Sequence, residues 1–189
     1  MEKERTLVLV KPDGVLRSLV GKIISRFEEA GLKIIAMKMH HADKELAGKH
    51  YPLDKEWAEA VFEKTKTTSE KLGKPFPYTD AIQFGSLIQE WNMNFLQEGP
   101  VVAMIVEGPH AIEMVRKMIG HTEPRQANPG TIRGDFAPFE SYEAANSKSR
   151  VLRNLVHASD SSETAQREIP IWFEDSEIFQ YSKDLDNHF

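Results

Sequence analysis

The sequence of 189 residues predicts an α/β sandwich, an α+β arrangement in which helices pack on a four-stranded antiparallel sheet. Two strand–helix–strand patterns follow one another along the chain, and short β-branched apolar runs alternate with helical apolar repeats. In each half, a glycine stands where its helix is expected to end. This βαββαβ order is the ferredoxin-like plan. We expect a single domain over residues 1–189, with a helical insertion in the middle.

The first strand–helix–strand unit starts at TLVLV (6–10), an apolar run typical of a strand buried on both faces. KPDG follows, and its residue types predict a turn. A helical repeat then runs from Val20 and ends at Gly31, and LKIIAMKM (32–39) predicts the second strand.

The second unit has the same organisation. VVAMIVEG (101–108) predicts a strand, AIEMVRKMI a helix, and SRVLRNLV (149–156) a last strand that leads into His157. A final helix is expected to start near Asp160, because Asp160 and Glu163 have the spacing of a capping box.

The region between the two units, 43–99, is mostly helical in pattern, and we expect it to cover one edge of the sheet. Two helical patterns, DKEWAEAVFEKT and AIQFGSLIQEWNMNFL, are separated by the breaker-rich GKPFPYTD. The acidic tail, about 174–189, has no comparable pattern. We expect it to form an arm that packs on another subunit.

Composition narrows the class of protein. A net charge of −5 argues against a nucleic-acid-coating surface, and the absence of cysteine excludes thiol chemistry and disulfides. The first apolar run is too short for a signal peptide or a membrane span. We therefore expect a cytoplasmic protein that needs no membrane and no specific nucleic acid.

One histidine stands out by its position. His157 ends the last predicted strand, at the rim of a sheet where ligands tend to bind. Glu168 lies three residues after Ala165 and four before Trp172, on the apolar stripe of the next helix. A buried carboxylate needs a partner, and His157 and Ser159 are the nearest candidates. The alternatives are a structural histidine and a partly exposed glutamate.

Several other groups suit a phosphate. Lys11, Arg116 and Arg133 stand near element ends, with Thr122 in a loop, and NPGTIRGDF predicts a rigid turn that fixes one guanidinium. Each cation taken alone fits a solvated surface charge better than a binding site. The other histidines, His50 among them, show no zinc-ligand spacing, so we expect no metal held directly by the protein.

Five separated motifs resemble the nucleoside diphosphate kinases along nearly the whole chain. They are LVKPDGV, HY at His50–Tyr51, GPVVAM, NPGTIRGDF, and RNLVHASDS with EIPIWF. The resemblance is to a long-chain form, and it implies that the segment of about 52–91 is an insertion. It implies transfer of the terminal phosphate of ATP or another nucleoside triphosphate to a nucleoside diphosphate, by a ping-pong mechanism through a phosphohistidine. It further implies Mg²⁺ carried on the nucleotide phosphates and a homo-oligomer, either hexamer or tetramer.

The same resemblance assigns roles residue by residue. His157 matches the nucleophile, and Ser159 and Glu168 match the pair that steadies it. Asn154 and Lys11 match the groups that reach the sugar hydroxyl. The phosphate-binding positions are matched by Lys11, Tyr51, Arg116, Thr122 and Arg133. The insertion replaces the stretch that supplies the aromatic partner of the base, and Phe62 and Trp57 are the candidates for that role. Because neutral imidazole is required for attack, activity should fall as acid protonates His157.

Two rival functions are weighed against this one. The first is a nucleotide sensor of the same fold that has lost turnover, which is disfavoured because every chemical position is filled. The second is an RNA-recognition module, which shares the split βαβ plan. Such modules need aromatic residues on the central strands, and TLVLV and VVAMIV contain none.

Overall fold

The structure, a computed structural model, describes residues 3–71 and 73–183. Within these residues the sheet has four strands in the order β2-β3-β1-β4, and each neighbouring pair is antiparallel. The strands are β1 Lys3–Val10, β2 Lys33–His40, β3 Val101–Pro109 and β4 Val156–Ala158. The predicted ferredoxin-like arrangement is confirmed.

Helices connect and flank these strands. They are α1 Pro12–Leu16, α2 Val20–Glu29, α3 Lys44–His50, α4 Lys55–Lys71, α5 Ala81–Leu96, α6 Ala111–Ile119, α7 Ile132–Phe136, α8 Tyr142–Asn146 and α9 Ser162–Trp172. Among residues 3–71 and 73–183, no helix has both the length and the apolar composition that crossing a bilayer requires.

The sheet is covered on both faces. Val8 and Val10 of β1 point to one face, where Ile23 and Phe27 of α2 and Val115 of α6 complete a buried cluster. The helical repeats in the sequence therefore bury their apolar stripes as expected.

The opposite face of β1 carries Leu7 and Leu9, which are also fully buried. They pack in a second cluster with Ala47 of α3, Leu96 of α5 and Trp172 of α9. Burial on both faces explains why TLVLV is apolar at successive positions rather than alternating.

The KPDG segment is not the turn that its composition predicts. Lys11 is the extended N-cap residue of α1, and Pro12 occupies the first helical turn. Proline fits there because its fixed φ suits a helix start and its missing N–H would have no helical partner.

The fourth strand is shorter than predicted. Residues 149–155 are outside β4, and Leu155 has a left-handed φ of 69°. The backbone of Leu155 instead bonds to the end of β1 and the start of α1. Its oxygen accepts from the Lys11 nitrogen at 2.8 Å, and its nitrogen donates to Asp13 Oδ2 at 3.1 Å.

The last helix starts later than Asp160. Its N-cap is Ser161, whose Oγ accepts from the Thr164 nitrogen at 3.1 Å. Serine satisfies an otherwise unpaired helical N–H, which is the requirement that decides where the helix begins. Glu163 lies exposed on the first turn and does not close a capping box with Asp160.

Helices α4 and α5 form a hairpin that contains most of the predicted insertion. Gly85 of α5 lies so close to α4 that an added Cβ would be 2.6 Å from the Cβ of Ala58. Phe62 is buried in this hairpin, with its ring centroid 5.2 Å from Phe76 and 6.1 Å from Phe84. Its ring therefore belongs to the hairpin core, and a contact of either Phe62 or Trp57 with a base stays a prediction.

The described part of the tail packs on its own chain, and the expected packing on another subunit stays a prediction. The Phe179 nitrogen donates to the Ile35 oxygen at 2.8 Å, and the Tyr181 hydroxyl donates to the Ile34 oxygen at 2.8 Å. An unpaired edge strand attracts such pairing, and β2 is an edge of the sheet. Residues 184–189 of the predicted arm lie outside the described residues.

Candidate active site

The structure brings together the predicted histidine and its two partners. Glu168 is only 2% exposed, and its Oε2 lies 2.8 Å from His157 Nε2. The Ser159 hydroxyl donates to the same oxygen at 2.7 Å. The expectation that the carboxylate on the apolar stripe would be paired is confirmed.

This pairing decides which nitrogen of His157 can react. A carboxylate only accepts hydrogen bonds, so the Nε2 that faces Glu168 carries the proton. The lone pair of neutral His157 is then on Nδ1. The side chain is 20% exposed, so the ring is open to a ligand without being fully solvated.

The sequence did not reveal a further partner of Glu168. Arg167 donates from NH2 to Oε1 of Glu168 at 3.1 Å, and its side chain is 44% exposed. Consecutive residues of a helix do not normally face each other, so spacing could not have predicted the pair.

Asn154 links two other predicted residues. Its Oδ1 accepts from Lys11 Nζ at 2.9 Å, and its Nδ2 donates to the Thr122 oxygen at 2.9 Å. Lys11 is buried and Thr122 is exposed, so the amide of Asn154 connects a buried residue of the site to one at the protein surface.

Lys11 is held in a position that disfavours its charge. Burial, and then the charge of Arg133, lowers the pKa of Lys11 to about 8, while Asp13 acts in the opposite direction. None of the ion pairs among the described residues includes Lys11, Arg116 or Arg133. An anion that entered between them would relieve their repulsion.

Arg133 lies in helix α7 rather than in the rigid turn that NPGTIRGDF predicts. Thr131 caps this helix by accepting from the Gly134 nitrogen at 3.2 Å, and the capped start turns the motif into helix. Burial, and then the charge of Arg116, lowers the pKa of Arg133 to about 10, so Arg133 remains charged at neutral pH.

The guanidinium of Arg133 is partly committed to the backbone. It donates to the oxygens of Asn154 at 3.1 Å, Gly120 at 2.9 Å and Val156 at 2.7 Å. These three hydrogen bonds fix the backbone just before His157 and at Gly120. Two of the five guanidinium N–H groups are left to bind a ligand. Arg116 is less constrained, with a long contact of 3.4 Å to the Ala158 oxygen.

Tyr51 lies beside this cluster of charges. Burial, and then the negative charge of Glu168, raises the pKa of the Tyr51 hydroxyl well above its usual range. The hydroxyl therefore stays protonated and can donate a hydrogen bond. Gln89 of α5 fixes the backbone of Tyr51 by donating to its oxygen at 2.7 Å.

His50 is a neighbour of His157 that the sequence left without a role. The two imidazole centroids are 4.5 Å apart, with planes at 82°. His50, His157 and Glu168 each bring one potential metal-ligand atom within 4.8 Å of the others. Residues that are distant in sequence form this group, so ligand spacing could not have indicated it.

Asp13 is a third residue, after Arg167 and His50, whose contacts at the site the sequence did not indicate. Its Oδ1 accepts from the Gly14 nitrogen at 3.0 Å and its Oδ2 from the Leu155 nitrogen at 3.1 Å. It thereby fastens α1 to the segment that carries Asn154. Burial raises the pKa of Asp13, and the charge of Lys11 acts against that rise.

Comparison with known proteins identifies the family. A family model described as nucleoside diphosphate kinase matches residues 4–72 and 84–178. The nucleoside diphosphate kinase of Pyrococcus abyssi is 48% identical over 182 residues, which are 96% of this chain and 91% of that protein.

Solved structures show the same relationship. An NDP kinase from Pyrobaculum aerophilum has a TM-score of 0.90 at 41% identity, covering 95% of this chain and all of that one. A nucleoside-diphosphate kinase from Borrelia burgdorferi, solved as a transition state mimic with bound vanadate and ADP, has a TM-score of 0.81 at 39% identity, covering 98% and 96%. The chain therefore belongs to the nucleoside diphosphate kinase family and is a nucleotide phosphotransferase.

Proposed function

We propose that His157 carries the phosphoryl group between two nucleotides. In the first half-reaction the Nδ1 lone pair attacks the terminal phosphorus of a nucleoside triphosphate. The N–P bond forms as the bridging P–O bond breaks, and the nucleoside diphosphate leaves with that electron pair. A second nucleoside diphosphate then attacks the phosphohistidine and reverses the step, which gives ping-pong kinetics.

The observation that carries this proposal is the contact of 2.8 Å between His157 Nε2 and Glu168 Oε2. The carboxylate fixes one tautomer, and it also opposes the positive charge that develops on the ring as the N–P bond forms. Ser159 holds the acceptor oxygen in place. Glu168 and Ser159 are thus positioning residues that act through the histidine.

Three cations are proposed to receive the phosphates. Phosphoryl transfer spreads negative charge over several oxygens, so positioned positive charge is its main catalytic requirement. Lys11, Arg116 and Arg133 supply that charge without a carboxylate partner in the described chain. Hydroxyl and amide donors at the same site, Tyr51, Thr122 and Asn154, are proposed to complete nucleotide binding, with Asn154 and Lys11 at the sugar hydroxyl.

Mg²⁺ is proposed to be held by the nucleotide phosphates rather than by the protein. Mg²⁺ prefers oxygen ligands, whereas the three-residue group at His157 offers two imidazoles and a carboxylate already bonded to three groups. Both oxygens of Asp13 accept from backbone nitrogens. On the nucleotide, the ion would neutralise phosphate charge and so ease attack.

Partners and location extend the proposal. ATP and other nucleoside triphosphates and diphosphates are the substrates, in keeping with the ADP bound to the Borrelia burgdorferi relative. We infer a homo-oligomer, either hexamer or tetramer, from the family resemblance. The cytoplasmic location stays a prediction from the sequence.

Intact-mass measurement after incubation with ATP and Mg²⁺ tests the proposal. The wild type should gain one acid-labile phosphoryl group, and His157→Ala should gain none, because it lacks the imidazole that Glu168 orients. His41→Ala, which removes an exposed histidine, should behave as wild type. Failure of the wild type to form an adduct would favour the nucleotide sensor instead.

A further inference from the structure

His50 is the most enclosed titratable neighbour of the reacting histidine. It is the last residue of α3 and only 1% exposed. Its ring lies 4.5 Å from His157, 4.6 Å from Tyr51 and 5.7 Å from Trp172, measured between centroids. The effect of His50 on the reaction therefore depends on which of its two ring nitrogens carries a proton and which carries a lone pair.

Trp172 determines which nitrogen of His50 carries the proton. The indole Nε1 donates to His50 Nδ1 at 3.3 Å, and an indole N–H can only donate. Burial, and then the charges of His157, Lys11 and Arg167, lowers the pKa of His50 well below the usual 6.5. A neutral imidazole that accepts at Nδ1 has its hydrogen on Nε2.

The Nε2–H of His50 has no acceptor. Among the described residues it is the buried side-chain nitrogen or oxygen that lacks a hydrogen-bond partner. Buried donors normally have a hydrogen-bond acceptor, and a buried donor without one lowers the stability of the folded protein. An unused donor beside a phosphate-carrying ring suggests that its acceptor arrives with the substrate.

A metal ion is the competing interpretation, since His50, His157 and Glu168 bring ligand atoms within 4.8 Å of one another. Binding a cation through Nε2 of His50 would require a lone pair at that atom. The proton would then move to Nδ1, where it would face the N–H of Trp172. The contact with Trp172 therefore favours an anionic acceptor over a cation at Nε2.

We propose that the Nε2–H of His50 donates a hydrogen bond to an oxygen of the phosphoryl group as that group passes between the nucleotide and His157, and that the bond is strongest in the transition state. This inference rests on the proposed function, in which the phosphoryl group is bonded to His157 Nδ1. It makes His50 a catalytic residue that binds the transferred group rather than the nucleotide. The loss of this bond should therefore reduce kcat much more than it changes KM.

The test compares two variants of the whole protein. His50→Phe keeps a planar ring of similar size but has no donor, whereas His50→Gln keeps an N–H near the position of Nε2. A hydrogen bond to a charged oxygen predicts that His50→Phe transfers its phosphoryl group to ADP roughly 10- to 100-fold more slowly than wild type. His50→Gln should recover a substantial part of that rate, with KM for ADP changed less than about twofold in both.

The outcomes separate the inference from the function on which it rests. If the wild type forms no phosphohistidine, both fail. If the wild type is phosphorylated and His50→Phe transfers at the wild-type rate, only the role of His50 fails. Equal losses in the two variants would also overturn it, because a purely structural role does not distinguish donor from non-donor.

A measurement on the wild type covers the case in which His50→Phe does not fold. Long-range ¹⁵N–¹H NMR should show neutral His50 with its proton on Nε2, and that proton should shift downfield when His157 is phosphorylated. A proton on Nδ1 would contradict the proposal. So would stoichiometric zinc binding that His50→Gln abolishes, since it would place the lone pair on Nε2.

Discussion

At His157, one carboxylate oxygen determines which ring nitrogen can react. Oε2 of Glu168 accepts from both His157 and Ser159, while Oε1 accepts from Arg167. These hydrogen bonds compensate for burying the charged carboxylate. Removing Glu168 would leave the donors of His157 and Ser159 without their acceptor, which is costly in a buried site. In the sequence the carboxylate stands out because it interrupts an apolar stripe, and the family resemblance assigns it the same partner.

We expect Glu168→Gln to lower kcat roughly 10- to 100-fold, the value of a hydrogen bond to a charged group. The amide oxygen can still accept from His157 Nε2, but it no longer opposes positive charge on the ring. Steady-state kinetics should show little change in KM. Glu163→Gln, at an exposed position of the same helix, is the matched control and should keep full activity. Comparable activity in the two variants would remove Glu168 from the mechanism.

Lys11 gives nucleotide affinity a pH dependence in the alkaline range. Its pKa is lowered to about 8, so raising the pH through 8 removes the charge that attracts phosphate. We expect the Kd for ADP, measured by calorimetry, to rise between pH 7 and pH 9.5. In Lys11→Gln that rise should be much smaller, because the amide can still bond to Asn154 but does not titrate. An identical rise in both proteins would assign the effect to other groups.

The free energy of unfolding of the unliganded protein should increase as the pH is raised, whereas the affinity for ADP should decrease. Between pH 8 and the ordinary lysine value of 10.5, the unfolded chain binds more protons at Lys11 than the folded protein does. The contribution of Lys11 to the free energy of unfolding therefore rises with pH in that window. Below pH 8 the cost of burying the charged group is present in full.

At the scale of single elements, most helices could be predicted and the fourth strand could not. AIQFGSLIQEWNMNFL has the bounds of α5, and Gly31 follows α2 with a left-handed φ of 80°, as its sequence position predicts. These two helices can be predicted locally, because the capping residues and the apolar repeat that define each helix lie within one short stretch of sequence. For α9 the sequence predicts a cap at Asp160, whereas the next residue, Ser161, caps the helix.

The segment before His157 depends on contacts from elsewhere in the chain. Leucine rarely adopts a left-handed φ, so nothing in SRVLRNLV indicates that Leu155 breaks the strand. Asp13 and Lys11, more than 140 residues earlier, take its hydrogen bonds. The location of His157 on β4 was predictable from its apolar neighbours, whereas the path of the chain into β4 was not.

Over the whole molecule, the topology explains why distant motifs meet. Strand β4 pairs with β1, and the register places His157 opposite Leu9, two residues before Lys11. Once the ferredoxin-like order is accepted, the closeness of these two motifs follows from the sequence. The group around His50 does not follow, because α3 and α9 reach the same site from outside the sheet.

The α4–α5 hairpin is joined to the site by side-chain contacts, and a substitution that disturbs its helix packing tests that link. Lys74 in its connecting loop bonds to Glu143 of α8 at 2.6 Å, and Gln89 of α5 holds the backbone of Tyr51. Gly85 lets the two helices approach, since a Cβ there would be 2.6 Å from the Cβ and 3.1 Å from the Cα of Ala58. A larger residue must separate the helices.

We expect Gly85→Leu to lower the free energy of unfolding by about 1–3 kcal/mol, the usual cost of overpacking, and to raise the Kd for ADP through Tyr51. Phosphorylation of His157 by excess ATP should persist, because β4 and α9 hold that residue independently of α5. Gly21→Ala is the control: nothing lies within 4 Å of a Cβ at that helical position, so its stability should stay equal or rise. If Gly85→Leu melts and binds ADP as wild type does, the hairpin is not coupled to the site through α5.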